Sequence, residues 1–554
     1  MSNSAGTQRE NGFRPLRYLI IDDFESFRLS MKEMLRSFGA EHVEVASQGS
    51  AAIQRCVYEH FDVILCDYNL GRGKNGQHIL EELRHRKLLR HTSLFLMVTA
   101  ETSKDMVMGA REYQPDAYLT KPINRAMLES RLGSLIAQRQ SLLPINRQID
   151  LENYPEAVSL CLQALPRLPK YKSWLMQTLA GLYLRIGDFG HARKIYEDVL
   201  AQRDLSWARL GKAKVLIAEQ RYPDAIEELQ SLIGKHPDFT EAYDRLADVF
   251  QLMGQTGQAQ KSLEQAVRLS PNALLRQKNL AMVATLNHDI EAAASAWRQA
   301  VALGTHSVHD SGDHYLSLAA CLADLSDQDS ASDGRDSAQK RTQEALKTLH
   351  AMERRFQDDP DLPMRGTLVK ARVMAARGEE RDARSLLEQA RSDIDTRTAS
   401  VDVSLEMAQS LFRLHQEDDA RELLANLAQR FASDADVMRR IEQLMDEPVG
   451  IVAQRQARQL TRDGIKAFER GDFEAAGDQF QKALIIAPNH TALNLNLVQV
   501  RLKQLEQGQV DVHLVDQCRQ CLARLGQMPA QHRQYRRYIA LQTKLGTFNH
   551  DKTD

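Results

Sequence analysis

The 554-residue chain is long enough for about four domain-sized units, and its 72 basic and 74 acidic residues nearly cancel. This balance does not favour nucleic acid as the main partner, and a hydrophobic content of 43% excludes a disordered chain. Six cysteines cannot build a disulfide framework, no apolar run reaches the ~18 to 20 residues of a membrane span, and the polar start lacks a secretory signal. We therefore expect a cytoplasmic protein with no membrane partner.

Short apolar runs alternate with amphipathic stretches over the first 140 residues. Runs of strand character occupy 17–22, 42–46, 62–67, 93–99 and 116–120. Helical patterns follow them at 26–38, 50–58, 77–86, 104–113 and 124–138. Apolar character along nearly the whole strand is typical of parallel strands that are covered on both faces. Five successive βα units predict an α/β domain with a five-stranded parallel sheet.

Polar residues stand at the carboxyl ends of four of these strands. Asp22 and Asp23 follow the first strand, Asp67 ends the third, Thr99 ends the fourth and Lys121 follows the fifth. In an open parallel sheet such ends converge on one crevice. Crowded carboxylates share protons or hold a cation, and oxygen ligands alone favour Mg²⁺. A carboxylate beside Mg²⁺ can attack a phosphoryl group, with Lys121 supplying positive charge and Thr99 a hydroxyl.

The order of these residues resembles the receiver domain of two-component response regulators, which has a flavodoxin-like fold, over about residues 15–140. The family motif is an acidic pair, an Asp, a Thr or Ser, and a Lys-Pro. The resemblance implies that Asp67 accepts a phosphoryl group from a sensor histidine kinase or a His-phosphotransfer protein. It also implies Mg²⁺ binding by Asp22, Asp23, Asp67 and the main-chain carbonyl of Asn69, with Asp22 acting partly through water.

The same resemblance assigns a switch to Thr99 and Tyr118, which would turn towards the phosphoryl group and inward, respectively. It also implies a cis peptide bond between Lys121 and Pro122. One departure from the family is the glycine-rich sequence 71–76, which stands where a proline usually follows Leu70. We expect this segment to be a flexible loop.

A repeat replaces the strand signals after residue 140. Alanines at one register, namely Ala157, Ala192, Ala225, Ala259 and Ala293, are separated by 35, 33, 34 and 34 residues. Small residues at this spacing let paired helices pack closely. The pattern resembles the tetratricopeptide repeat (TPR) over about residues 150–525. The sequence contains about nine such helical pairs, and the resemblance implies an all-α TPR superhelical solenoid. It does not identify a partner, and we expect the surface of the solenoid to bind an unknown protein.

These patterns divide the chain into consecutive regions. We predict a disordered tail at 1–15, the receiver at 16–140, a linker at 141–152, TPR block one at 153–303, an irregular segment at 304–340, TPR block two at 341–528, and a capping helix and tail at 529–554. The irregular segment would contain a flexible insertion at 326–337, which has four Ser, four Asp and no large apolar residue. Pro144 should interrupt the path from the receiver to the repeats, and Pro448 should interrupt the array.

The leading interpretation is a response regulator whose output is protein binding, with no catalysis beyond its own phosphoryl uptake and dephosphorylation. One alternative is a transcriptional or RNA-binding regulator that uses the basic segment 532–538. Another is a phosphorelay intermediate whose repeats only dock. A further alternative is a homodimer that forms through the receiver. Cys518 and Cys521 could form half a zinc site or a redox pair, but packing within a helix is favoured.

Overall fold

The computed structural model describes residues 12–100, 115–331, 335–394, 398–446, 451–507, 511–526, 528 and 534–548. The predicted helix at 104–113 and the predicted break at Pro448 lie outside these residues. The chain divides into two compact units. Unit 1 comprises Met1–Asn287 with Ser295–Ser311, and unit 2 comprises His288–Ala294 with Gly312–Asp554.

Unit 1 begins with a five-stranded parallel sheet, which confirms the predicted flavodoxin-like fold. The strand order is β2-β1-β3-β4-β5. The strands are β1 (Arg17–Ile21), β2 (His42–Ala46), β3 (Val63–Asp67), β4 (Leu94–Thr99) and β5 (Ala117–Thr120). Helices α1 (Glu25–Ser37), α2 (Gly49–Tyr58) and α3 (Gly76–His85) follow the first three strands.

Both faces of this sheet are covered, as the continuous apolar strands predict. Along β1, Tyr18 and Ile20 pack into one core cluster with Leu132, whereas Leu19 and Ile21 pack into the cluster on the other face. The predicted tail at 1–15 is wrong at its end, because Phe13 is buried against the first cluster and its carbonyl accepts a hydrogen bond from the Tyr18 hydroxyl. Residues 1–11 lie outside the described part of the chain.

A single helix, α4 (Arg125–Asp150), runs from the sheet domain into the helical pairs of unit 1. The predicted linker at 141–152 and the predicted break at Pro144 are therefore wrong. Leu142 and Ile145 flank the exposed Pro144 and are buried in the core cluster of the first repeat. The last residue, Asp150, accepts hydrogen bonds from the main chain of His91 and Thr92. Tertiary packing on both sides of the proline thus holds the helix together despite the lost main-chain donor.

Helical pairs fill the rest of unit 1. The helices are α5 (Tyr154–Arg167), α6 (Lys172–Arg185), α7 (Phe189–Gln202), α8 (Ser206–Ala218), α9 (Tyr222–Lys235), α10 (Thr240–Leu252), α11 (Thr256–Leu269), α12 (Leu274–Leu286) and α13 (Ile290–Gly304), the last of which begins in unit 2. The repeating alanines, such as Ala225 and Ala259, are fully buried where helices meet. Gly254 has a φ of 71° in the turn between α10 and α11, a conformation that favours glycine.

Unit 2 is built of helices in its described residues. Its helices are α14 (Gly312–Ala331), α15 (Arg335–Arg355), α16 (Leu362–Ala376), α17 (Glu380–Asp393), α18 (Val401–Arg413), α19 (Glu417–Arg430), α20 (Ala435–Asp446), α21 (Ile451–Glu469), α22 (Phe473–Ile486), α23 (Thr491–Gln507), α24 (Val512–Leu525) and α25 (Tyr535–Thr547). Cys518 and Cys521 are buried on α24, which confirms the prediction that they pack within a helix. Across the described ranges, no helix is long and apolar enough to cross a membrane.

The predicted irregular segment at 304–340 and its flexible insertion are wrong for most of their length. Residues 312–331 and 335–340 are helical, and residues 332–334 lie outside the described part of the chain. Ser326 is fully buried, and its hydroxyl donates to the main-chain carbonyl of Ala338 on the paired helix. The polar composition was misleading here because the burial of Ser326 depends on the paired helix, which composition alone does not reveal.

Candidate functional site: an acidic crevice

The sheet topology brings the predicted site residues together at one edge. β3 lies between β1 and β4, and its last residue, Asp67, pairs with Val98 of β4. Asp22 follows β1 and Thr99 ends β4, so both stand beside Asp67 at the carboxyl ends of the strands. All three side chains are more than nine-tenths buried. This is the crevice that the polar strand ends predict.

Three carboxylates form the acidic part of this crevice. One oxygen from each of Asp22, Asp23 and Asp67 lies within 4.8 Å of the other two. Asp23 is exposed, so the cluster opens to solvent on one side. An all-oxygen set of this kind, half buried and half open, fits a hard cation that keeps some of its water, such as Mg²⁺.

Lys121 bridges two of these carboxylates. Its Nζ atom donates to an oxygen of Asp22 at 2.8 Å and to an oxygen of Asp67 at 2.9 Å. The same ammonium lies 4.2 Å from the centre of the Phe27 ring. The main chain holds the residue in place, since its N–H donates to the carbonyl of Thr99 and the bond to Pro122 is cis, as predicted. Lys121 is therefore aimed into the crevice with little freedom to leave it.

Opposing effects act on the pKa values of Asp67 and Lys121. Burial raises the pKa of Asp67, the hydrogen bond and charge of Lys121 lower it in part, and the charge of Asp22 raises it further. Burial by itself would lower the pKa of Lys121, but its two carboxylate partners raise the pKa overall. The ammonium therefore stays charged and partly neutralises the two buried carboxylates.

Tyr118 lies on β5 beside Met97 of β4, and its half-buried ring packs against the core on the α3 side of the sheet. Its hydroxyl is buried and has no hydrogen-bond partner among the described residues, and burial raises the pKa of the phenol. Thr99 is buried at the adjoining strand end. The structure thus brings the two predicted switch residues near each other, with the tyrosine turned inward.

The glycine-rich segment after Asn69 is anchored at both ends, which corrects the expectation of a plain flexible loop. The Asn69 side chain accepts from the N–H of Gly71, and the N–H of Gly76 donates to the carbonyl of Tyr68 at 2.8 Å. A β-carbon on Gly76 would lie 2.5 Å from the carbonyl oxygen of Asp67, so only glycine fits there. The start of α3 therefore rests directly on the main chain of Asp67.

Sequence reasoning missed several supports of this crevice. The Arg28 guanidinium donates to the main-chain carbonyl of Asp22 at 2.6 Å, and Phe27 covers Lys121. Both come from the first turns of α1, which no local motif marks as part of a site. Gly76 could have been found, because it directly follows Asn75, a residue type that commonly caps helices.

Comparison with known proteins agrees with this geometry. The response regulator receiver domain family matches residues 18–133, and tetratricopeptide repeat families match residues 187–249 and 240–273. The chain is 30% identical over 120 residues to the chemotaxis protein CheY of Pseudomonas aeruginosa, covering 22% of this chain and 95% of that protein. The chain belongs to the response regulator receiver family. It is a receiver domain joined to TPR repeats.

Two further relatives have similar coverage. The chemotaxis protein CheY-3 of Vibrio cholerae is 29% identical over 120 residues, which cover 22% of this chain and 91% of that protein. The solved structure of CheY4 of Vibrio cholerae is 27% identical, covers 22% of this chain and 97% of its own, and has a TM-score of 0.20 over the whole molecule. These matches concern the receiver alone.

Proposed function

We propose that this response regulator accepts a phosphoryl group on Asp67 and uses its repeats to bind a protein partner. One observation carries the first half of the proposal. The Asp67 carboxylate lies in a crevice with two further carboxylates and a lysine that donates to it. The donor would be a sensor histidine kinase or a His-phosphotransfer protein.

The chemistry follows from the placement of the side chains. A carboxylate oxygen of Asp67 attacks phosphorus, the P–O bond forms, and the P–N bond to the donor histidine breaks with its electron pair leaving on the imidazole. Lys121 lies where it can follow the transferred oxygens while keeping its contact with Asp22. Asp22, Asp23, Asp67 and the carbonyl of Asn69 would hold Mg²⁺, which supplies positive charge for the phosphoryl oxygens. The buried Thr99 hydroxyl would donate to the modified side chain.

The second half of the proposal rests on the surface of the repeats. Leu275, Met282 and Leu286 follow one another at spacings of seven and four on α12, so they share one helix face. Each of the three is 40–48% exposed. An apolar stripe of this kind on a repeat helix favours an apolar segment of a protein as the partner rather than nucleic acid.

Labelling with a phosphodonor tests the acceptor. Wild-type protein should take up acid-stable, base-labile phosphate, and the substitution Asp67→Asn should abolish the uptake because the amide keeps the shape but loses the nucleophile. EDTA should also abolish it, since the crevice needs a cation before it admits a phosphoryl dianion. Labelling that persists in the Asp67→Asn protein would show that another residue is the acceptor.

Affinity capture from lysate tests whether the α12 stripe binds the protein partner. Met282→Glu should remove the captured partner because it places a charge in the apolar stripe. Leu162→Glu, at a 48% exposed position on α5, is the matched control and should retain the partner. Equal capture by both variants would reject the α12 stripe as the binding surface.

A further inference from the structure

We propose that Lys74 and α3 of the receiver form a clasp on residues 305–309 of the same chain, and that modification of Asp67 loosens it. The clasp is the contact of Lys74, Glu81 and His85 with this segment, which follows α13. Both sides belong to unit 1. The inference rests on the proposed acceptor role of Asp67 and adds a route by which the repeats sense it.

The centre of the clasp is a buried hydrogen bond between distant parts of the chain. The Ser307 hydroxyl donates to a carboxylate oxygen of Glu81 at 2.8 Å. Glu81 is 5% exposed and Ser307 is 8% exposed. The hydroxyl also accepts from the N–H of His309, whose ring lies 3.6 Å from the second Glu81 oxygen. A buried carboxylate is costly without partners, so its placement opposite Ser307 and His309 favours a specific contact.

The rim of the clasp repeats this complementarity. Lys74 donates to the main-chain carbonyl of His306 at 2.9 Å and pairs with Glu82 at 2.7 Å. The rings of His85 and His309 meet edge-to-face with centroids 5.0 Å apart. Lys74 therefore ties the glycine-rich loop, which is this chain's departure from the receiver pattern, to the repeat segment.

A short path joins Asp67 to the clasp. Lys74 lies within the loop that begins at Asn69 and ends at Gly76, and Gly76 sits against the Asp67 carbonyl with no room for a β-carbon. Glu81 lies on the helix that Gly76 begins. A shift of the main chain at Asp67 therefore moves both anchors of the clasp together.

The direction of the effect follows from the state of the site. Asp67 is unmodified and held by Lys121, and the clasp contacts match the loop in that conformation. A phosphoryl group adds bulk and negative charge at Asp67, and we infer that the start of α3, which rests on the Asp67 main chain at Gly76, shifts to accommodate it. By reciprocity, if modification loosens the clasp, then loosening the clasp should favour modification.

Beryllofluoride, which mimics the phosphoryl group on a carboxylate, tests this reciprocity in the full-length protein with Mg²⁺. Ser307→Asp places a second carboxylate against Glu81 and should open the clasp. Ser295→Asp, at an exposed position on α13, is the matched control. Titration calorimetry should show beryllofluoride binding about five-fold or more tighter to the first variant than to the second or to wild type. If Ser307→Asp fails to fold, Ser307→Ala should shift the affinity in the same direction.

Hydrogen exchange on the same proteins shows whether the clasp has opened. Faster exchange across α3 together with tighter beryllofluoride binding would support the proposal. Equal affinities, or unchanged exchange in α3, would overturn it while leaving Asp67 as acceptor. Absence of beryllofluoride binding to wild type would overturn the acceptor role and the clasp's function together, so the two failures are distinguishable.

Discussion

The receiver crevice and the repeat array differ in what their motif residues do. In the crevice, the motif residues Asp22, Asp67 and Lys121 are the ones that we propose carry out the chemistry, and the strand ends place them together. In the array, the recurring residues are buried alanines that build the fold. Residues that could meet a partner, such as Met282, lie outside that pattern. A motif thus predicts the chemistry of the first region and only the scaffold of the second.

Replacement of Lys121 should give the largest effect, and it tests whether the crevice residues serve phosphoryl transfer. Lys121→Met should slow phosphoryl uptake by about 10²-fold or more, because it removes a positioned charge from a buried site. Lys32→Met on α1 is the matched control and should label at the wild-type rate. Rates would be followed by phosphate incorporation at fixed donor concentration. Equal rates for both variants would mean that the lysine holds the crevice together without serving the transfer.

In the repeat array, the alanines that are buried where helices meet, such as Ala213 on α8, should serve packing. Ala213→Leu should lower the free energy of unfolding by about 1 to 3 kcal/mol, because Ala213 on α8 is fully buried and extra methyl groups overpack the site. Ala201→Leu, at an exposed position on α7, is the control and should be nearly neutral. Denaturant unfolding of both proteins measures the difference. A neutral Ala213→Leu would mean that the helices pack more loosely than this account holds.

Pro144 tests where the two regions join. Pro144→Ala should stabilise α4 by about 2 kcal/mol, because it restores a main-chain donor inside a helix and the proline ring is exposed. Pro155→Ala, at the first turn of α5 where proline is well tolerated, should give no such gain. Native-state hydrogen exchange of each helix provides the measurement. No slowing of exchange in α4 would restore the linker interpretation of residues 141–152.

The smallest expected effect concerns the start of α3. Burial, with the charges of His306 and Lys74, lowers the pKa of His78 to about 4, and its Nδ1 atom accepts from the N–H of Asn75. The neutral ring therefore stabilises the fold above the ordinary pKa near 6.5, and this contribution falls as the pH drops towards 4. Between pH 7 and 5.5 the loss should be about 1 kcal/mol.

Exchange rates of α3, corrected for intrinsic pH dependence, measure this loss. His78→Gln should abolish the pH effect, because it removes the group that titrates. His42→Gln, at an exposed position on β2, should retain it. The same pH response in both variants would assign the effect to other groups.

The sequence allowed the sheet and the crevice to be predicted because both depend on local patterns. The strands β1, β3 and β4 are short apolar runs, and the parallel topology brings Asp22, Asp67 and Thr99 side by side. The continuous helix through Pro144 was not predictable in this way. Its stability comes from Leu142 and Ile145 packing against residues more than ten positions away.

The clasp could not be predicted from the sequence. Lys74 and His306 are separated by 232 positions, and neither stands in a motif that points to the other. The helices around residues 326–337 were missed for a related reason. Their polar residues suggested a loop, whereas burial of Ser326 depends on a partner helix that composition does not reveal.

The central claim is that the state of the Asp67 crevice reaches the repeats, and hydrogen exchange of the full-length protein with and without beryllofluoride tests it most directly. The Asp67→Asn protein is the control, since it offers no carboxylate to the mimic. We expect exchange to change together at the crevice, across α3 and in residues 305–309 of wild type, and nowhere in the control. A change confined to the crevice would contradict the account and leave the receiver and the repeats as independent parts.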